Sequence, residues 1–237
     1  MHEEALSIRR SKLLPGDAMI AESLNNLAET RRLQGRLNDA VGDFREAAEV
    51  WAATLGPRHP RVATALSNMA VASREAGLYA EAEALYREVA RIQLASIGPK
   101  HPDYAITLNN LARLKAAQGQ GDAALAFARQ ATAILAERDE LRSGTGAQAE
   151  QRAVQFVYVN HLSVLAKAAN DGSGPAVLDE ALDVVQRARN SDVAETLART
   201  TARLAAGDGD LAARLRRMQD GIDLLEQAEA SLPAASA

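Results

Sequence analysis

The 237-residue chain has no cysteine, which excludes disulfides, thiolate metal sites and cysteine nucleophiles. Aromatic residues make up only 3% of it although 47% is hydrophobic. Alanine supplies much of that apolar content, which suits closely packed helices rather than sheets, since sheets favour aromatic and β-branched residues. A cationic excess is also missing: the formal net charge is −4 and the pI about 5.7. Duplex nucleic acid requires a basic field, so nucleic acid is not an expected partner. No apolar run approaches the roughly 18 residues of a membrane span, so no membrane association is expected. The opening stretch MHEEALSIRR lacks the basic-then-apolar layout of a signal peptide, and a cytoplasmic protein is expected. Phosphate-cradling glycine motifs and a serine nucleophile elbow are absent too. Without an acid, base and nucleophile constellation the chain is not expected to be an enzyme or to need a cofactor.

What the chain does have is a period of 42 residues. Leu24, Leu66 and Leu108 are spaced by it, as are Asn26, Asn68 and Asn110, Gly35, Gly77 and Gly119, and Ala40, Ala82 and Ala124. The linkers agree, since Gly56-Pro57-Arg58-His59-Pro60 becomes Gly98-Pro99-Lys100-His101-Pro102. A period of about 20 to 50 residues marks stacked supersecondary units, each unable to bury its apolar face alone. Each unit reads as two helices. Ala63 to Ala76 carries apolar residues at helical spacing up to the stop at Gly77, and the next helix runs from about Tyr79 to Ile97 with Ala82, Leu85, Tyr86, Val89 and Ile92 on one face. The small Ala70 and Ala82 let the two backbones approach closely. The same pattern predicts helices near 18–34, 37–54, 103–118 and 121–138. Stacked arrays present an extended concave surface, so the expected function is binding.

The runs Leu24-Asn25-Asn26-Leu27-Ala28, Leu66-Ser67-Asn68-Met69-Ala70 and Leu108-Asn109-Asn110-Leu111-Ala112, with their in-phase glycines and alanines, resemble the tetratricopeptide repeat in its 42-residue, kinesin light chain variety. The resemblance implies an all-α, right-handed α-solenoid of helix hairpins with a C-terminal helical appendage. Residues 1–17 read as a half-unit whose first helix is missing, a native cap or a cut inside a repeat, and as a frayed end in which Leu6 matters less than Leu66. Residues 18–140 hold three units, 141–190 a degenerate fourth hairpin, and 191–237 a two-helix appendage. Gln120-Gly121 stands where the second unit has Leu78-Tyr79, which predicts a looser third turn.

Beyond Arg138 the period fails. A polar break at 142–146 precedes a helix over about 147–169, and a loop at 170–175 precedes a helix reaching Arg189. Helices are then expected over 192–206 and 210–232, the last with a seam of Leu211, Leu215, Met218, Ile222, Leu225 and Leu232 whose simplest partner is the helix before it. The short turn at 207–209 favours pairing within one chain, so a monomer is expected over a homodimer, although the end helices also suit an assembly module. The stretch from Ala181 to Leu232 resembles the helical connector of bacterial proteins in which such repeats precede a CHAT domain, a caspase-like peptidase module. That resemblance implies a larger bacterial protein whose peptidase part is not in this chain.

The expected partner is a protein or peptide. In tetratricopeptide families the first helices line the concave groove and asparagines at this motif position hold the backbone of an extended peptide. The resemblance thus implies a site at Asn25, Asn26, Asn68, Asn109 and Asn110, and a side-chain amide suits it because it both donates and accepts. A ladder of asparagines bonding neighbouring helices is the other reading, and the two are compatible. Arg32, Arg74 and Arg113 add guanidinium groups suited to carboxylates. They share their helices with Glu22, Glu29 and Glu75, so the groove is mixed in sign, and a solvated face is the favoured reading for any single one of these arginines. His59 and His101 are equivalent linker residues, not neighbours spaced for one metal, and read as turn residues; His161 reads as a packed histidine. The Asp171-Gly172-Ser173-Gly174 and Asp208-Gly209-Asp210 loops lack calcium-loop spacing. No metal is expected.

Overall fold

A computed structural model describes residues 2–141, 148–170 and 175–189. All regular structure among them is α-helical: α1 (His2–Lys12), α2 (Ala18–Leu33), α3 (Leu37–Leu55), α4 (Pro60–Glu75), α5 (Tyr79–Ser96), α6 (Pro102–Ala117), α7 (Gly121–Leu141), α8 (Gln148–Asn170) and α9 (Pro175–Arg189). The chain divides into two compact units, residues 1–142 and 143–237. The helices expected over 192–206 and 210–232, most of the CHAT-like stretch, and the loops at 142–146, 171–174 and 208–210 lie outside the described residues.

In the first unit every helix packs on the next, and α4 also touches α2 and α6, the arrangement of a solenoid of helix hairpins. The hairpins α2–α3, α4–α5 and α6–α7 close through one turn used three times. Gly35, Gly77 and Gly119 take φ of 77°, 78° and 75°, a left-handed conformation that a Cβ disfavours. Each donates its N–H to the carbonyl three residues back, of Arg32, Arg74 and Ala116, and the residue after it donates to the carbonyl before that: Arg36 to Arg31 at 2.9 Å, Leu78 to Ser73 at 2.8 Å, Gln120 to Lys115 at 2.9 Å. The third turn is therefore as tight as the others, correcting the expectation from Gln120-Gly121. The motif is made by backbone groups and the glycine, so the side chain after it is immaterial.

Alanine makes the close approach. Ala28, Ala70 and Ala112 on the first helices and Ala40, Ala82 and Ala124 on the second are all fully buried. Phe44 and Tyr86 occupy one register of the second helices and are fully buried, Phe44 in a cluster with Ala28, Ala40, Val41, Met69 and Ala72. One cluster joins Leu6 of α1 to Ile20, Leu24, Trp51, Val62 and Ile92, so apolar packing runs continuously from α1 to α5. Leu6 is only 6% exposed, whereas Leu66 is half-buried at the edge of that cluster. The expectation of a frayed first end is corrected here: α1 lies on α2, and Arg9 donates to the Met19 carbonyl at 2.7 Å and to Ser23 Oγ at 2.9 Å. In the second unit α8 packs on α9 with Val157, Tyr158, Leu162 and Leu165 buried against a face that includes Ala181, Val184 and Val185.

Candidate functional site

The first helices α2, α4 and α6 start alike. Asp17, His59 and His101, each 42 residues from the next, hold extended backbone just before the helix. Asp17 Oδ1 accepts the Met19 N–H at 2.8 Å, and His59 Nδ1 and His101 Nδ1 accept those of Arg61 and Asp103 at 3.2 Å. The two histidines are thus helix caps as well as turn residues, an imidazole nitrogen replacing the carboxylate oxygen of the first unit. Pro60 and Pro102 follow in the first turn, where a missing N–H costs nothing. The three helix starts fall in one register, and α4 touches both α2 and α6, which brings corresponding stretches of the first helices beside one another.

Asn68 Nδ2 on α4 donates to Asn25 Oδ1 on α2 at 3.2 Å, one rung of the ladder. Asn26 is exposed and Asn68 half-buried, Asn110 is buried at 7% exposure, and Asn109 is fully buried. Asn109 is therefore no part of an open groove surface. Between α4 and α6, roofed by the end of α5, lies a cleft of about 240 Å³ whose walls include Asn68, Gln93, Asp103 and Thr107.

The arginines divide. Arg32 Nη1 donates to both carboxylate oxygens of Glu75 on α4, at 2.8 and 3.0 Å, while Nε and Nη2 donate to Glu29 at 2.9 and 2.8 Å. The hydrogen bonds that it donates to Glu29 first, and to Glu75, hold its pKa above the ordinary arginine value against burial. Its charge is spent on joining two units. The equivalent Arg74 has Val71 where Arg32 has Glu29, and Ala117 where it has Glu75. Arg74 lies 3.5 Å from Glu75 Oε1 and is close to Arg113; burial, then repulsion from Arg74, lowers the Arg113 pKa. Burial also pushes the Tyr86 phenol up, opposed by these two cations. Arg74 and Arg113 are thus brought together, and Arg32 joins the same cluster through Glu75, whose Oε1 both Arg32 and Arg74 approach. In the second unit His161, 2% exposed, has Nε2 3.3 Å from Glu180 Oε1 of α9, so the packed histidine has a carboxylate partner that helix spacing on α8 could not reveal. Among the described residues no group of three or more His, Asp or Glu is placed to hold a metal ion, and no helix is long and apolar enough to cross a membrane.

Repeated hairpins with aligned first helices define a helical-repeat scaffold. The sequence profile of the tetratricopeptide repeat family matches residues 19–95 and 62–137, and the chain belongs to that family. Among solved structures it is similar to BtubC (BKLC) from P. vanneervenii, with a TM-score of 0.62 and 23% identity over 80% of this chain and 72% of that one, a likeness of fold. It is also similar, with a TM-score of 0.48, to kinesin light chain nearly identical TPR-like repeats from Podosopora anserina, at 23% identity over 81% of this chain and 97% of that one. No curated protein sequence matches significantly. Repeats of this family are interaction scaffolds that bind proteins.

Proposed function

We propose that the chain binds an extended segment of a partner protein along the aligned faces of α2, α4 and α6, as the sensing or adaptor part of a larger bacterial, cytoplasmic protein. The observation that supports this most is the register of Asn26, Asn68 and Asn110 on three adjacent first helices, beside a cleft that Asn68 lines. Asn25 serves that face by holding the Asn68 amide, which leaves the Asn68 carbonyl oxygen to accept from a peptide N–H. Arg74 and Arg113 supply positive charge farther along the same helices, and Arg32 and Asn109 are support. The chain itself acts by binding, without catalysis. The CHAT-like stretch favours a place before a peptidase module, which the gene sequence beyond Ala237 tests.

A peptide array probed with the full chain tests the groove. Asn26→Ala and Asn68→Ala together should abolish capture of the selected peptides while the thermal unfolding transition stays cooperative. Undiminished capture by that variant, with folding intact, overturns the reading. Asn110 is left out of the variant because it is buried.

A further inference from the structure

We propose that the cleft between α4 and α6 receives a cationic side chain, an ammonium or guanidinium, from the bound segment. Only the placement of that segment rests on the groove reading above. At about 240 Å³ the cleft is smaller than the roughly 300 to 1,000 Å³ of sites that take small-molecule ligands, which suits a single side chain.

Its lining selects for charge through where the hydroxyl protons go. Thr64 Oγ1 donates to the Pro60 carbonyl at 3.1 Å, Ser96 Oγ to the Ile92 carbonyl at 2.8 Å, and Thr107 Oγ1 to Gln93 Oε1 at 2.7 Å. With those protons committed, each hydroxyl has only lone pairs left to offer a guest. Asn68 likewise commits one amide N–H to Asn25 and keeps its carbonyl oxygen. The remaining donors of the lining are the second Asn68 N–H, the Gln93 amide and Ser67, while Thr64, Ser96, Thr107, the Asn68 carbonyl and both Asp103 oxygens accept, so acceptors outnumber donors. Asp103 is the lining residue with a formal charge.

The neighbouring cations are directed elsewhere. Arg61 lies over the Trp51 ring, 5.7 Å from its centroid, and Lys100 pairs with Glu137 at 2.7 Å, while the His101 Nδ1 that accepts the Asp103 N–H lies 3.7 Å from Asp103 Oδ2. One repeat earlier, Trp51 and Arg61 occupy the registers of Gln93 and Asp103, a bulky ring and the opposite charge. The acceptor lining therefore belongs to this boundary and is not a general product of the 42-residue pattern. Asp103 is exposed and screened, so its field attracts and orients, while the less exposed acceptors Thr107 and Gln93 give selectivity.

The test is an NMR titration of the ¹⁵N-labelled full chain with Nα-acetyl-arginine amide, Nα-acetyl-lysine amide and the neutral isostere Nα-acetyl-citrulline amide. Saturable shifts at residues 60–68 and 103–107 are expected with the two cations, and the citrulline derivative should bind at least about fivefold more weakly. Asp103→Asn and Thr107→Val should each weaken the arginine derivative by about threefold or more while the unfolding transition stays cooperative, with some loss of melting temperature in Thr107→Val because Gln93 loses its donor. Equal binding of the arginine and citrulline derivatives, or no saturable shift at these residues, overturns the proposal. Peptide capture on the array without arginine-derivative binding would sink the cleft assignment and leave the groove standing. The reverse outcome would remove the groove and keep the cleft.

Discussion

Asn68 on α4 hands an amide N–H to Asn25 on α2 across 3.2 Å, although 43 residues of chain separate them. The bond ties one unit to the next, while the neighbouring Asn26 stays exposed on the same helix. Adjacent asparagines of one motif thus have different duties. Asn25→Ala should destabilise the protein by about 0.5 to 1.5 kcal/mol, because the Asn68 amide loses its partner. Asn26→Ala should fall within about 0.5 kcal/mol of the parent. Denaturant unfolding of the two variants decides, and equal losses would show that the rung carries no stability.

His59 as a cap gives a second expectation. His59→Ala should cost about 1 kcal/mol, since the Arg61 N–H loses its acceptor, whereas His59→Asp should restore most of it by reproducing Asp17 of the first unit. The melting temperatures of the two variants should therefore separate. If aspartate proves as damaging as alanine, the imidazole matters for something other than capping.

Glu83 on α5 accepts from Lys115 Nζ on α6 at 2.8 Å, with both side chains largely buried. That hydrogen bond and the lysine charge hold the carboxyl below the ordinary carboxylate range, against burial. A depressed carboxylate pKa adds stability that is complete above the unfolded value of about 4.3 and fades as pH falls through the folded one. Acidification below about pH 4 should thus remove the stability that this carboxylate gains from Lys115 and from the Arg87 guanidinium beside it. In Glu83→Gln the unfolding free energy should vary less with pH over that range. An unchanged pH profile would mean that the pair contributes nothing.

Leu6 and Leu66 reverse the order expected from the repeat phase. Leu6→Ala, at a buried position, should cost about 2 to 4 kcal/mol, and Leu66→Ala less, because a half-buried side chain leaves a smaller cavity. Chemical denaturation of the two variants tests this. A larger loss at Leu66 would place α1 outside the cooperative core.

The helices of the first unit were legible because each has its own punctuation: Gly35, Gly77 and Gly119 at the ends of first helices, and Pro60 and Pro102 at two of their starts. These signals act locally on backbone torsion, so sequence alone carries them. The asparagine face was legible from the period. The partners of Arg32 were not, since Glu75 lies 43 residues away and the contact depends on the stacking of α2 against α4. The caps by His59 and His101 were missed because histidine is an uncommon cap, although their alignment with Asp17 was a readable signal. The cleft was out of reach for another reason: which way a hydroxyl proton points is set by the helix turn below it and by Gln93 on another helix.

The threefold helix start gives the chain a property of a ruled scale. If residues 60 to 101 were excised, His59 would meet Pro102 and could cap Asp103 as it now caps Arg61, so the joint would be indistinguishable from those already present. Asn25 would meet Asn110 in place of Asn68, another asparagine, while Arg32 would meet Ala117 in place of Glu75 and lose its inter-unit carboxylate. The reach of the surface can therefore change by whole graduations without inventing a new junction. What distinguishes one graduation from another is carried by a few side chains such as Glu75, Gln93 and Asp103, which is where a change of partner would be written.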